Sequence, residues 1–252
     1  MADILICGAN EGIGLHMALG LLDSGHRVAV ADICLDNIGA LTGSYDGRLL
    51  CYQADVRDFD ALSSAVSSAA AAFGGLDAAV QNACLCPFTQ FADMTDEDYS
   101  ATFYVNYLGA VHLTRAALAH SRPGGRILFT SSGVGVTGFP GLTAYASTKG
   151  ALESLAKCLR LEYAERDVSF HILHPPLTRT RSSAPLPVPP EFMASPETIG
   201  RSLARRIFSH RFIICPSPMQ KLQTLACYYA PLKLGRLMAG MTNRTQRRYV
   251  QR

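Results

Sequence analysis

The chain has no uninterrupted apolar stretch that reaches the ~18 residues of a membrane-crossing helix, although 48% of its 252 residues are hydrophobic. A crossing helix is therefore not expected. Nor does the sequence open with a leader pattern: the apolar run Ile4-Leu5-Ile6-Cys7 starts almost at Met1, so no signal peptide is expected and a cytoplasmic location is. Neither repeats nor the composition of a disordered chain are present, and this length suits one sizeable core. Among the eight cysteines no pair of C-x-x-C units occurs, which removes a common zinc spacing, and no metal is expected. Several cysteines fall inside apparent strands. Most are expected to be small core residues in a reducing compartment. The last absence is local. No acidic residue follows Glu197: positions 198–252 carry eleven Lys and Arg, whereas the first 197 hold the other twelve and all twenty Asp and Glu. That basic tail is poor in aromatics and lacks a recognised binding motif, so nucleic acid is not an expected partner.

What is present centres on residues 126–150. Ile127-Leu128-Phe129 reads as a buried strand, followed by adjacent serines and a Gly/Pro-rich turn. Tyr145 and Lys149 come next, and Leu152, Leu155, Ala156 and Leu159 recur at helical spacing behind them. Four residues make one helical turn, so the phenol and the ammonium share a face. A cation beside a phenol favours the phenolate, and the Tyr145 pKa is expected to fall from about 10 into the range of a general acid/base. Ser132, at the strand end, can bring a hydroxyl to the same point.

Upstream, the strand Ile4–Cys7 runs into Gly8-Ala9-Asn10-Glu11-Gly12-Ile13-Gly14 and then a helical period over Leu15, Ala18, Leu19 and Leu22. Strand, glycine-rich turn and helix together make a site where backbone approaches a pyrophosphate at a helix N-terminus. Asp32 ends the second strand, Val28–Ala31. An acidic residue there accepts from ribose hydroxyls and repels a 2′-phosphate, and Glu11 adds to the repulsion, so NAD is expected over NADP. The bland alternative for Asp32 is a cap on the next helix. Further strands are expected at Arg48–Ala54, Ala78–Val80, Val168–Leu173 and Arg211–Cys215, with helices over Ala61–Phe73, Asp96–His120 and Pro196–His210. His174 reads as a strand-end residue rather than a catalyst. Cys84 and Cys86 read as unpaired loop cysteines, with an oxidation-sensitive pair as the alternative.

Tyr145-x-x-x-Lys149 with Ser132 thirteen residues upstream, and the G-x-x-x-G-x-G turn, resemble the short-chain dehydrogenase/reductase family over roughly residues 3–215. The resemblance implies an α/β fold: one doubly wound domain around a seven-stranded parallel sheet in the order 3-2-1-4-5-6-7. It implies that Tyr145 exchanges a proton with a substrate hydroxyl or carbonyl, that Ser132 holds that oxygen, and that Lys149 grips the nicotinamide ribose. Asn106, in V-N-Y-L-G, matches the fourth active-site position and would steady a water leading from Lys149. Asp55-Val56 would bracket the adenine, and Asn82-Ala83 falls within Gln81-Asn82-Ala83-Cys84, similar to the family's N-N-A-G. Pro175, Thr178 and Thr180 match positions beside the nicotinamide carboxamide. Cys84 and Pro176 stand where the family has glycine, and Cys7 where it usually has threonine. The implied reaction joins a secondary alcohol to a ketone. The alternative, a non-catalytic dinucleotide-binding or scaffold protein, rests on Cys84 and Pro176.

Ser182–Pro196, with five prolines among apolar side chains, matches the family's variable substrate loop. Beyond residue 215 a basic tail repeats Leu222, Leu225, Ala226, Tyr229 and then Leu234, Leu237, Met238, Met241 at helical spacing, with Lys233, Arg236, Arg244, Arg247 and Arg248 beside them. It resembles tails of family members acting on long-chain ketones, retinoids or steroids, which implies a lipophilic substrate. The stripes are expected to pack on the body, over the Ser182–Pro196 loop where they would close an apolar substrate cleft, or on a subunit partner. Peripheral contact with an anionic membrane is the sharper alternative. The family packs the Tyr145 helix against its copy, and with the Leu152-Leu155-Leu159 stripe, part of which must face the sheet, this leads to an expected homodimer or homotetramer.

Overall fold

The computed structural model describes residues 1–250, with side chains through residue 242. Seven parallel strands form one sheet: β1 (Asp3–Cys7), β2 (Arg27–Asp32), β3 (Leu49–Gln53), β4 (Leu76–Gln81), β5 (Ser121–Thr130), β6 (Val168–Leu173) and β7 (Ile213–Ile214). Their order is β3-β2-β1-β4-β5-β6-β7, as expected from the sequence. β1 is buried along its whole length because helices cover both faces of the sheet. Its alternating side chains feed two cores. Leu5 and Cys7 pack with Leu62, Leu113 and Leu152 on one face, and Ile4 and Ile6 pack with Met17, Leu21 and Leu203 on the other.

The helices are α1 (Gly12–Asp23), α2 (Asp36–Gly39), α3 (Phe59–Phe73), α4 (Asp96–Phe103), α5 (Gly109–Leu118), α6 (Val134–Thr137), α7 (Thr143–Glu162), α8 (Pro196–Ala204), α9 (Pro218–Tyr229) and α10 (Pro231–Val250). The Asp58 carboxylate caps α3 by accepting from Ala61 N–H at 3.0 Å, and Ser217 caps α9 ahead of its first-turn proline.

Several expectations are corrected. The long helix read over Asp96–His120 is broken by a π-turn at Tyr104–Leu108. The seventh strand keeps two residues rather than five, and α8 ends at Ala204 rather than His210. Of the eight cysteines, all free, only Cys7 and Cys227 are buried; Cys158 is exposed and the rest are half-buried. Leu152 is buried in the sheet-side core, whereas Leu155 and Leu159 pack against that core and stay half-buried.

The tail departs furthest. On α9 the apolar stripe faces outward, with Leu222, Leu225 and Tyr229 at 64%, 50% and 92% exposure. Thr224 and Cys227 are buried instead, because polar groups lie beneath this helix. α10 seats against α6 so closely that a Cβ on Gly235 would lie 2.7 Å from the Thr137 carbonyl oxygen. The side chains of Arg244, Arg247 and Arg248 lie outside the described residues.

Candidate active site

The strand C-termini open into a cavity of about 1060 Å³. Gly8 leaves β1 with φ of 78°, and a Cβ there would sit 2.4 Å from the Ala83 backbone. A Cβ on Gly14 would sit 2.1 Å from the Gly8 carbonyl oxygen. Both positions therefore exclude side chains, and the bare turn delivers Gly12 and Ile13 at the α1 N-terminus to the cavity wall. Asp32 steadies this turn: its carboxylate accepts from Asn10 N–H at 2.8 Å and from Cys34 N–H at 3.2 Å. Each oxygen keeps a lone pair for a further donor. The Asn10 amide oxygen instead caps α2, accepting from Asn37 and Ile38 N–H. Glu11 is exposed at the cavity edge. A bare-backbone cradle, a helix N-terminus and an acidic strand end suit a dinucleotide.

Asp55 pairs with Arg57, which holds its carboxyl below the usual range, while Val56 forms the adjoining apolar wall. Asn82 donates to the Gly8 carbonyl at 2.7 Å and accepts from Thr130 Oγ at 3.2 Å, tying the turn to the end of β5. Thr178 donates to the Pro176 carbonyl at 2.8 Å, and Thr180 caps the turn at 181–183 while packing over Gly12. Pro175, Thr178 and Thr180 all line the cavity.

Ser132 follows β5, and Tyr145 and Lys149 project from one face of α7 into the same cavity. Ser132 hydrogen-bonds Tyr145. The Lys149 ammonium donates to the Thr130 carbonyl at 2.8 Å and lies 5.3 Å from the Tyr145 ring centroid. The expected lowering of the Tyr145 pKa is reversed. Burial raises it well above that of a free phenol, the Cys84 and Cys86 thiols add to the rise, and the Ser132 bond only partly opposes it. Burial likewise lowers the Lys149 pKa. Both shifts share their largest cause: the buried pocket disfavours charge on either group. Burial also pushes the Cys86 thiol up to about 12.

Gly14 and Asn106 are the sequence-predicted residues that do not line the cavity. Asn106 is fully buried in the π-turn. Its amide accepts from Leu85 N–H at 2.7 Å and donates to the Leu85 carbonyl and to Thr148 Oγ, clamping the segment that carries Cys84 and Cys86. Gln81 donates to the Val105 carbonyl within the same turn.

The tail was expected to pack over the substrate loop, and it shares a cavity wall with it: Gln223, Thr224 and Cys227 of α9 and Leu234, Met238 and Met241 of α10 join Leu186, Val188 and Phe192 of the loop. Sequence reasoning missed a buried cluster beside the site. Glu153 accepts from Ser131 Oγ at 2.9 Å, from His174 Nε2 at 2.8 Å and from the Tyr228 hydroxyl. His174 does end β6, as expected. The only sequence signal for the cluster was an acidic residue one turn beyond Lys149 on an otherwise inward face.

The family described as short chain dehydrogenase matches residues 2–188. Oxidoreductase UcpA of Salmonella typhimurium is 36% identical over 182 residues, 70% of this chain and 69% of that protein. Versicolorin reductase stcU of Emericella nidulans is 31% identical over 185 residues, 70% of this chain and 69% of its own. A short chain dehydrogenase from Burkholderia cenocepacia, solved in complex with NADP, superposes with a TM-score of 0.77 at 26% identity, covering 85% of this chain and 95% of that one.

Proposed function

Because the chain belongs to the short-chain dehydrogenase/reductase family and is thus an oxidoreductase, we propose that it interconverts a lipophilic secondary alcohol and its ketone using NAD(H). The observation that carries this reading is the meeting of Ser132, Tyr145 and Lys149 on one wall of a large cavity whose other walls are a bare-backbone cradle and an apolar cleft. When bound, the nicotinamide supplies or accepts the hydride. The chain's own residues do the rest. Gly8, Gly12, Ile13 and the α1 N-terminus would receive the pyrophosphate, Asp32 the adenosine ribose, and Asp55, Val56, Asn82 and Ala83 the adenine side. Pro175, Thr178 and Thr180 would border the carboxamide. Ser132 Oγ would hold the substrate oxygen and Tyr145 Oη would give or take its proton. Lys149, which lines the same cavity, would orient the ribose. Asn106 would act by fixing the π-turn and the Leu85 backbone beside the site.

Asp32 and exposed Glu11 support NAD over NADP through repulsion of a 2′-phosphate; the Burkholderia structure, in complex with NADP, keeps that preference a matter for titration. The apolar lining from Leu186, Phe192, Leu234 and Met238 supports a lipophilic substrate. With residues 1–215 as the catalytic body and 216–252 as the tail, the loop at 181–197 and α9–α10 would together shape the cleft. A two-fold homo-oligomer is proposed, with exposed Leu161 of α7 available to it. The outer tail, where Leu222 and Leu237 lie among Lys221, Lys233 and Arg236, supports a secondary contact with anionic lipid. Among the described residues no helix is long and apolar enough to cross a membrane. The test is nicotinamide turnover with ketones and alcohols of increasing chain length. Turnover that improves with apolar length supports the reading, and no turnover with bound NADH returns the chain to a binding role.

A further inference from the structure

Glu153 sits one helical turn beyond Lys149 on α7, is 4% exposed, and belongs to neither the cofactor nor the proton-transfer set. A carboxylate so placed is costly unless its lone pairs are filled. Three donors fill them, each from a different part of the fold. Ser131, adjacent to Ser132 at the end of β5, donates to Oε1 at 2.9 Å; fully buried His174, at the end of β6 and adjacent to Pro175, meets the same oxygen at 2.8 Å. The third donor is the hydroxyl of Tyr228, which reaches Oε2 from α9. Burial would raise the Glu153 pKa, but the bonds from His174, Tyr228 and Ser131 outweigh it and hold the carboxyl below the usual range. Burial and the carboxylate push the Tyr228 phenol far up, so it remains a donor.

One carboxylate thus joins the ends of β5 and β6, the first of which leads into Ser132, to a helix of the tail. The neighbour of Tyr228 shows what that connection aligns. Cys227 lines the cavity, and its sulfur would lie 3.9 Å from a Cβ on Gly133, the residue after Ser132. We infer that Tyr228 is a positioning residue: through Glu153 it latches α9 to the catalytic helix and so fixes the tail's wall of the substrate cleft against the segment carrying Ser132. This rests on the alcohol–ketone reading for its kinetic consequence, but the latch itself does not.

The test compares full-length wild type, Tyr228→Phe and the control Tyr229→Phe. The first substitution removes only the hydroxyl and keeps the ring; the control alters a side chain that is 92% exposed. In Tyr228→Phe, amide exchange across 218–229 should quicken about tenfold or more. KM for a long apolar ketone should rise about fivefold or more, with kcat within about twofold and KM for a short ketone unchanged. Tyr229→Phe should match wild type in each measurement. Unchanged exchange in Tyr228→Phe overturns the latch. Faster exchange with unaltered KM for the long ketone reduces Tyr228 to an anchor and overturns the positioning role. If no ketone is turned over by wild type, the reaction reading fails separately, and exchange in the presence of NADH decides the coupling: NADH should protect 218–229 in wild type and less in Tyr228→Phe, and equal protection overturns it.

Discussion

The cofactor cradle and the C-terminal tail are built on opposite rules. In the cradle the backbone is the surface: at Gly8 and Gly14 any side chain would collide with neighbouring main chain, so the residue type is fixed by geometry. In the tail side chains decide, and their distribution inverts the usual amphipathic arrangement. α9 turns Leu222 and Tyr229 out and buries Thr224 and Cys227, because what lies beneath it includes the Glu153 carboxylate. A surface made of backbone announces itself through glycine spacing; a surface made of another element's buried polar groups does not.

The sharpest break in this comparison is Gly8→Ala. The left-handed φ of 78° and the 2.4 Å approach to Ala83 leave no room for a methyl group. A loss of about 3 kcal/mol or more is expected, seen as a lowered thermal midpoint or failure to fold. Near wild-type stability with NADH still bound would contradict the close-approach account. A smaller effect concerns the cradle's charge. NAD(H) should bind at least about tenfold tighter than NADP(H), roughly 1.4 kcal/mol, and Asp32→Ala should narrow the gap. Equal affinities in the wild type would remove Asp32 as the selector. In the tail, Thr224→Val is expected to cost about 1 kcal/mol, since its hydroxyl lies within bonding range of Gln220 Nε2 and Cys215 Sγ. Leu222→Ser on the outer face should stay within about 0.5 kcal/mol. If melting ranks the two the other way, the tail is packed through its apolar stripe after all.

The same contrast explains what could be read from the sequence. The glycine turn and the common face of Tyr145 and Lys149 follow from local spacing, the strand order follows only from the family resemblance that those motifs carry, and the structure has all three where they were expected. The ionisation of Tyr145 does not follow from spacing. Its shift comes from burial and from the thiols of Cys84 and Cys86, which another loop brings in. Asn106 was legible through its place in V-N-Y-L-G, but its clamp on Leu85 depends on tertiary contact. The outward stripe of α9 was misread because hydrophobic periodicity assumes an apolar surface underneath. The Leu152-Leu155-Leu159 stripe was read correctly as apolar and as partly facing the sheet: Leu152 is buried there, while Leu155 and Leu159 stay half-buried.

The raised Tyr145 pKa also sets the direction of a pH response. At neutral pH the phenol holds its proton and is ready to donate, so ketone reduction should keep a level kcat/KM through the neutral range and fall in alkali. Alcohol oxidation needs the phenolate and should climb as pH rises into the alkaline range. Oxidation that peaks at neutral pH and declines above it would mean that another group takes the proton.

The most direct measurement replaces Tyr145 with Phe and follows NADH binding and ketone reduction in the same preparation. Binding should stay within about threefold of wild type, while kcat falls about a hundredfold or more because the proton donor is gone. Near-normal turnover by Tyr145→Phe would contradict the assignment of Tyr145 as the acid/base of this site.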